Sequence, residues 1–442
     1  VNLAARLEIR ATRVGSETTL ARMIRLVRDA QGSRAPIQRL ADRVSAIFVP
    51  VVMSIAVIAG LVWVLVGPEP RIVNGVITFV TVLIISCPCA LGLATPTAVV
   101  VGVGRAAGQG VLFKQAAAVE RLDRIDVLAF DKTGTLTHAR PEVERIVLLG
   151  ALDEAEALRR AAAIEQASRH PLAAGVVRAA AARDITPHAT PADARETAGF
   201  GVVATLDGRR HWVGRIDWVA RESGHDVPTD ALAELDAGAL TPVAMADESG
   251  FLVLFGLADP IRTEAAEVLA ELRSRGLRTV LLTGDRPAAA ARVAAALGID
   301  DVRAGLLPAD KLAAIRALQA EGRKVLMLGD GINDAPSLAG ADLGVAMGAG
   351  SDIAAEAGDV VLVRDRLQDL LTALALGHAT MRTIRQNLFL SFFYNALAIP
   401  VAAGVLYPHF GLRLEPWMAA AAMALSDVSV IGNSLRLKWR RV

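Results

Sequence analysis

The sequence predicts a multidomain protein in which an α-helical transmembrane bundle carries a large cytoplasmic α/β region with an α+β domain inserted into it. Four stretches long enough to cross a bilayer carry no charge or a single one. Between the second and third of them, a charged section alternates apolar strands with helices. Inside that section lies a block of short strands and glycine turns with a different texture. At 442 residues and 53% apolar content, the chain has length for several domains and can bury large cores.

The four stretches are residues 44–68, 72–104, 386–412 and 416–435, and Asp427 in the last is their one charge. About 20 apolar residues span a bilayer, so each is long enough. Arg39, Arg43, Arg105, Arg382, Arg385, Arg436, Lys438, Arg440 and Arg441 all fall on one side, which is therefore cytoplasmic. The loops at 67–71 and 407–415 are short and nearly neutral, hence external. A net charge of +1 without a basic run argues against a nucleic-acid partner. Two cysteines one residue apart cannot staple distant segments, which excludes a disulfide framework. The opening "VNLAARLEIRAT" is alternating and charged, unlike a signal peptide, and its lack of an initiator Met suggests a fragment.

In the cytoplasmic section, "IDVLAFDKTGTLT" places an apolar strand over 127–130 that ends at Asp131. "LRTVLLTGD" repeats the pattern and ends at Thr283, Gly284 and Asp285; "RKVLMLGDGIND" ends at Asp330 and Asp334. Helices are expected in "RPAAAARVAAALG" and "PADKLAAIRALQAEG", between the last two strands. Such alternation argues for a parallel sheet with its ligand beyond the carboxyl ends of the strands. Strand ends rich in Asp, Thr and Gly then form one acidic crevice suited to a metal and a phosphate. In the inserted block, "AAAIEQASRHPLA" reads as a helix ended by proline, and "TAGFGVVATLDGRRHWVG" as short strands with glycine turns.

Both cysteines lie in "IISCPCALGL", within the second apolar stretch. Pro88 lacks a backbone donor and clashes with the preceding turn, so it is expected to break the helix inside the membrane. Unwound backbone at that depth is tolerated only where it is buried in protein or lines a pathway. Cys87 and Cys89 then bring sulfur to the gap, and thiolates select Cu(I)- or Zn(II)-like ions over Mg²⁺, Ca²⁺ or Na⁺. Packing as two small hydrophobes leaves the proline between them unexplained.

"CPC", "DKTGTLT", "TGD" and "GDGINDAP", in this chain order, resemble the heavy-metal-transporting P-type ATPases of the copper class. The resemblance runs from the N-terminal stretch to the last helix. It implies a haloacid-dehalogenase-like phosphorylation domain at 111–142 and 258–378, with a nucleotide-binding domain inserted at 143–257. The end of the actuator domain and its linker would occupy 1–40, and membrane helices 41–110 and 379–442. It also implies ATP and Mg²⁺ as cofactors, a plasma-membrane location, and phosphorylation of an aspartate coupled to metal movement.

The residues suit that chemistry. A carboxylate at a strand end, Asp131, can attack the γ-phosphorus of ATP to give an acyl phosphate. Mg²⁺ prefers hard oxygen ligands, which Asp330 and Asp334 can supply; Asp131 and the Thr133 carbonyl are ligands by the resemblance. Thr283 can donate its hydroxyl to the phosphoryl group and Lys311 can set a positive charge beside it. Lys132 and Gly284 complete the two motifs, while Asp285 and Asn333 orient the group. Related soluble phosphatases carry a second Asp, an acid–base group, where this chain has Thr133, which disfavours a membrane-tethered phosphatase.

By the same resemblance, Glu165, His170, Gly199, Gly201 and Gly214 line an adenine pocket, and Arg215 stands where the family often has Asn. Tyr394, Asn395, Met423 and Ser426 resemble the copper-class pattern that joins Cys87 and Cys89 around a transported Cu⁺. Asp427 replaces the second serine of that pattern. Zinc pumps also carry an Asp in the last helix, but pair it with a lysine that 386–412 lacks. Zn²⁺ or Cd²⁺ is the alternative cargo, and a non-transporting metal- or nucleotide-binding remnant is a third reading. The segment from "VGSETT" to "IFVP" resembles the exit from the actuator domain into the third core helix, with Asp42 near the ion entrance. A Thr-Gly-Glu loop is absent, so the chain is expected to be the C-terminal part of a pump. Its expected partners are membrane lipid, a metallochaperone and the N-terminal part of the same pump.

Overall fold

The computed structural model describes residues 19–32, 35–87, 89–187, 191–331, 334–348 and 356–440. Its chain divides into two compact units. One comprises 1–126, 323–326 and 341–442, and the other 127–322 with 327–340.

The first unit is built on long helices. Pro36–Val66 starts with proline in its first turn, where the missing N–H is no loss, and Arg71–Ile85 packs against it. The two approach closely because glycines face one another. A Cβ on Gly75 would lie 2.8 Å from the Gly60 carbonyl oxygen, and one on Gly60 3.3 Å from that of Gly75. Small residues at such crossings are how helices pack where lipid removes the hydrophobic drive between them.

Helix Arg71–Ile85 stops and a new helix, Cys89–Gly108, begins. The break falls where the proline was expected to act, although Pro88 itself lies outside the described residues, as does the Cys89 side chain. Cys89–Gly108 packs against Gln368–Ala402 and Pro416–Leu435. Amides join the three. The fully buried Asn387 donates to the Ala94 carbonyl (3.3 Å) and the Ser434 hydroxyl (2.9 Å), and accepts from Asn433 (2.8 Å).

Among the described residues, three segments are long and apolar enough to cross a membrane: Ala41–Val66, Arg71–Gly108 and Pro416–Lys438. The remaining expected stretch, 386–412, folds differently. Its helix is the second half of Gln368–Ala402, which ends before the short helix Tyr407–Phe410. The stretch therefore runs as a helix, a turn with Gly404 at a φ of 91°, and a second short helix.

In the second unit, strand Val127–Asp131 is buried throughout and pairs in parallel with Arg278–Leu282, which pairs in parallel with Asp301–Arg303. Helices Pro287–Leu297 and Pro308–Ala320 connect these strands as the sequence pattern requires. The unit also contains a six-stranded antiparallel sheet. Its order is Glu142–Leu148, Gly250–Ala258, Thr241–Asp247, Arg209–Gly214, Gly201–Leu206 and Ala192–Thr197.

Both faces of that sheet are covered, and strand alternation assigns the side chains. Val243 and Met245 face helices Glu154–Glu165 and Pro171–Ala181 in one core. Ala244 and Ala246 face the other core, with Trp218 and Leu235 from helices Ile216–Ser223 and Thr229–Ala237. Asp207 and Gly208, both at positive φ (52° and 78°), turn one hairpin as an Asp-Gly pair. Pro171 does not end a helix. The helix before it ends at Glu165, and Pro171 opens the next one in a first turn that its fixed φ suits.

Replacing Gly75 by Leu should force the first two long helices apart at Gly60. Thermal unfolding of the purified chain in detergent should begin at a lower temperature, by the equivalent of about 1–3 kcal/mol for an overpacked contact. An unchanged transition would show that the close crossing carries no stability.

Candidate active site

Asp131 ends a strand whose register sets it opposite Leu282, one residue before Thr283. The chain then turns sharply. Thr133 is extended (φ −75°, ψ 127°) and Gly134 is left-handed at φ 73°. A side chain at Gly134 would be strained, and its Cβ would lie 3.1 Å from an Asp330 oxygen. This turn therefore brings Asp330 against the backbone that follows Asp131.

Lys311 reaches the same point from helix Pro308–Ala320, whose start is fixed by the Asp310 carboxylate accepting from the Leu307 N–H (3.0 Å). Its ammonium donates to Asp131 Oδ1 at 2.5 Å and to Asp334 Oδ1 at 2.7 Å. All three side chains are buried. Burial, and then the Asp334 carboxylate, raise the Asp131 pKa to about 7 against the attraction of Lys311. Burial alone would lower the Lys311 pKa, but the two carboxylates outweigh it and the net direction is upward. The second Asp334 oxygen is buried with no hydrogen-bond partner.

The other predicted residues surround this triad in two groups. Thr283 is buried, and its hydroxyl accepts from the Asp285 N–H (3.1 Å), leaving its proton to donate elsewhere. Asp285 forms an ion pair with Lys132. Gly284 lies where a Cβ would come 3.1 Å from the Leu306 carbonyl. Asn333 lies outside the described residues.

Among the described residues, no three His, Cys, Asp or Glu side chains are gathered closely enough to hold a metal ion. Lys311 instead joins two of the expected Mg²⁺ ligands. The residues still fit such an ion, because one ammonium serves two carboxylates and leaves an orphaned oxygen and excess negative charge. Hard oxygens with uncompensated charge are what Mg²⁺ takes.

Sequence reasoning passed over two supports of the turn. Asp259 accepts from the Thr137 hydroxyl (2.5 Å) and from the N–H groups of Ala139 (3.1 Å) and Arg140 (2.8 Å). Arg262 donates to the Gly134 carbonyl (3.2 Å) and its N–H to Leu136 (2.9 Å). The signal was present in "GLADPIR", where an acid and a base flank a proline directly after a strand.

The five residues expected around adenine all line one cavity of about 540 Å³. Gly201 and Gly214 pair across two strands so tightly that a Cβ on Gly201 would lie 2.5 Å from the Trp218 ring. His170 caps helix Pro171–Ala181 by accepting from the Leu172 N–H at 3.2 Å. Arg215 lies over the Phe200 ring at 5.4 Å and grips Asp217 with two hydrogen bonds. Glu165 is buried, and burial first, then the charge of Glu196, raise its pKa to about 8.

In the first unit, Cys87 follows helix Arg71–Ile85, and its N–H donates to the Ile84 carbonyl (3.2 Å). Tyr394 and Asn395 lie on Gln368–Ala402, and Met423 and Ser426 on Pro416–Leu435, helices that pack together. Ser426 is buried, Asn395 and Met423 are half-buried, and Tyr394 is 46% exposed.

A family model described as haloacid dehalogenase-like hydrolase matches residues 125–342. A silver exporting P-type ATPase of Salmonella typhimurium is 48% identical over 100% of this chain and 54% of its own length. A copper-exporting P-type ATPase of Legionella pneumophila is 46% identical over 99% of this chain and 59% of its own. The solved structure of a zinc-transporting PIB-type ATPase in the E2.Pi state matches with a TM-score of 0.79 at 35% identity. That match covers 96% of this chain and 68% of the other. The chain belongs to the heavy-metal P-type ATPase family. It spans about half the length of the curated relatives it matches.

The Glu165 shift has a definite sign. Its folded pKa of about 8 lies above the ordinary 4.5, so its contribution to stability is complete below about pH 4.5 and is lost as pH rises through about 8. Unfolding free energy should fall across that window by at most about 1.4 kcal/mol per pH unit, and Glu165→Gln should flatten the slope. Urea unfolding followed by Trp212 and Trp218 fluorescence at pH 6, 7 and 8 measures it. Parallel pH dependence in both proteins would mean that Glu165 is already ionised in the fold.

Proposed function

We propose that this chain is the catalytic and transport portion of a pump that uses ATP to export a soft metal ion, Cu(I), from the cytoplasm. The observation that carries the reading is the buried bridge from Lys311 to Asp131 and Asp334, at the end of a parallel strand. The same unit holds a cavity lined by all five expected nucleotide contacts.

Asp131 is the nucleophile. One of its oxygens forms a bond to the γ-phosphorus of ATP, the bond from that phosphorus to the β,γ-bridging oxygen breaks, and ADP leaves. Lys311 holds the carboxylate in place and offsets the charge that would repel the incoming phosphate. Thr283 has a hydroxyl proton to give to a phosphoryl oxygen. Mg²⁺, held by Asp131, Asp330, Asp334 and the Thr133 carbonyl, would neutralise phosphate charge when bound. Residues 143–257 act as the nucleotide-binding domain, with the base against Phe200 and the glycines and with Glu165 at the cavity wall.

The ion crosses at the break between helices Arg71–Ile85 and Cys89–Gly108. Cys87 and Cys89 in their reduced form, Met423, and the pair Tyr394 and Asn395 with Ser426 would bind it. Thiolates and a thioether favour Cu(I), and the names of the silver- and copper-exporting relatives support this cargo. A second reading, Zn(II) or Cd(II), has its own support. The matched solved structure is a zinc transporter, and Asp427 offers a hard oxygen on the last helix.

ATP with Mg²⁺ should label the chain with an acid-stable, hydroxylamine-sensitive phosphate, and Asp131→Asn should abolish the label. A label persisting in that variant would remove the pump reading. For the cargo, the reduced chain should bind Cu(I) tightly in competition with a chelator, and Met423→Ala should weaken it about tenfold or more, the scale of one lost ligand. Tight Zn(II) binding lost in Asp427→Ser, with Cu(I) binding unmoved by Met423→Ala, would replace Cu(I) by Zn(II).

A further inference from the structure

A second cavity, of about 440 Å³, lies in the first unit. It is lined by Arg382, Thr383 and Gln386 from one long helix, and by Asn433, Arg436 and Arg440 with their neighbours from the last helix and the turn after it. Spacing explains the convergence. Arg382 and Gln386 are four residues apart on one helix, and Asn433 and Arg436 three apart at the end of the other, so each pair shares one side of its helix, while Arg440 follows the turn after the last helix.

The charge here is unlike that of the surrounding cations. Arg385, one turn from Arg382, pairs with Asp123. Arg105 donates to the Leu437 carbonyl at 2.5 Å. Among the described residues, Arg382, Arg436 and Arg440 form no ion pair, and no Asp or Glu lines the cavity. Compensation of a helix C-terminus would account for Arg436, at the end of Pro416–Leu435. It does not account for Arg382, which lies well inside Gln368–Ala402. A scatter of solvated arginines would satisfy the charge bias of a cytoplasmic rim, but not their convergence on one concavity with an amide floor. That floor is tied down, because Asn433 donates to Asn387 and Leu437 is buried beneath.

The surroundings say which anion fits. The cavity sits where Pro416–Lys438, long and apolar enough to cross a membrane, reaches its cytoplasmic end. Trp439, on its rim, is 72% exposed, a placement typical of aromatic side chains at the headgroup level. Leu435 and Phe389, on the same two helices, are exposed apolar residues. At roughly 30 Å³ per water, the volume exceeds what one phosphate ion fills. Planar guanidinium forks match phosphate oxygens two at a time.

We infer that this cavity binds the phosphate of an anionic phospholipid from the cytoplasmic leaflet, between the last two long helices. Basic pockets between membrane helices are suited to such headgroups. The lipid would link two helices that Asn387 already joins, so its occupancy would stiffen the bundle from the cytoplasmic side.

The test uses the full chain reconstituted in vesicles of phosphatidylcholine with a minor fraction of phosphatidylglycerol, then extracted in mild detergent, with retained lipid measured by mass spectrometry. Phosphatidylglycerol should be enriched over the vesicle ratio. The combined variant Arg382→Gln, Arg436→Gln, Arg440→Gln should lower that enrichment about tenfold, while Arg39→Gln with Arg43→Gln, on the same membrane side, should leave it unchanged. Inorganic phosphate or glycerol 3-phosphate at millimolar concentration should not displace the lipid. Equal retention by the triple variant, or equal loss in the Arg39 and Arg43 control, overturns the site. Displacement by inorganic phosphate overturns the lipid in favour of a free anion. Arg382→Gln alone provides the same comparison should the triple variant fail to fold.

Discussion

One buried ammonium shared by two carboxylates organises the catalytic unit. Removing charges from water is costly unless they are paired and hydrogen-bonded, so Lys311, Asp131 and Asp334 can be buried only together. Each comes from a different element, and each element must end at the same place. The parallel register of Val127–Asp131 with Arg278–Leu282 aligns two strand ends, and the capped start of Pro308–Ala320 aims the lysine. Glycine at 134 and at 329 leaves room for Asp330 and Asp334, since a Cβ at either would lie 3.1 Å from a carboxylate oxygen. The pairing is incomplete by one positive charge. Burial first, and then that deficit through Asp334, raise the Asp131 pKa toward neutrality, and the deficit is the electrostatic opening that a divalent ion would fill.

The cavity lined by Glu165 and the glycines depends on a different constraint, which is steric. Gly201 and Gly214 sit where strands and loops approach within atomic contact, while Gly199 has open space around it and needs a left-handed φ of 78°. Any side chain at 201 would fill the space between the hairpin and Trp218. The sheet behind the cavity is buried on both faces, so its position relative to the helices is fixed by two cores. Within the same unit, Arg286 donates to Asp236 and to the Leu240 carbonyl, while Arg292 pairs with Glu144. These bonds tie the segment following Asp285 to the inserted sheet, and Arg286 also borders the cavity.

Features written in consecutive residues could be read from the sequence. An apolar run ending in Asp, a glycine in "DKTGTLT" and an alanine-rich helix each carry their own local physics. The strand ending at Asp131, helices Pro287–Leu297 and Pro308–Ala320, and the interruption after Ile85 all have such signals. Features set by distant partners could not be read so directly. Pro171 was ambiguous because proline both ends helices and starts them, and the His170 cap that decides the matter depends on side-chain geometry. Asp259 and Arg262 act on a turn more than a hundred residues earlier in the chain. The bend inside the third apolar stretch, 386–412, had its local signal in Pro400 and in Gly404 at a φ of 91°, which hydropathy alone hides.

The two units show how the same residue types act under different rules. In the catalytic unit, arginines close ion pairs at the surface, where water competes for each group, and the buried charges are held by one shared ammonium. In the helical unit, cohesion comes from glycines that let backbones meet and from Asn387, an amide with partners on both neighbouring helices. An amide network of that kind requires all of its members to be satisfied in place, so it fixes how Gln368–Ala402 and Pro416–Leu435 lie against each other at Asn387. Fixing that contact also constrains the spacing of Arg382 and Arg436, which lie close to its members in the chain. Three cations brought to one concavity without a carboxylate among its lining are the arrangement that a bound anion would complete. The apolar helices on one side of the cavity, and the exposed tryptophan at its rim, make the membrane surface the nearest source.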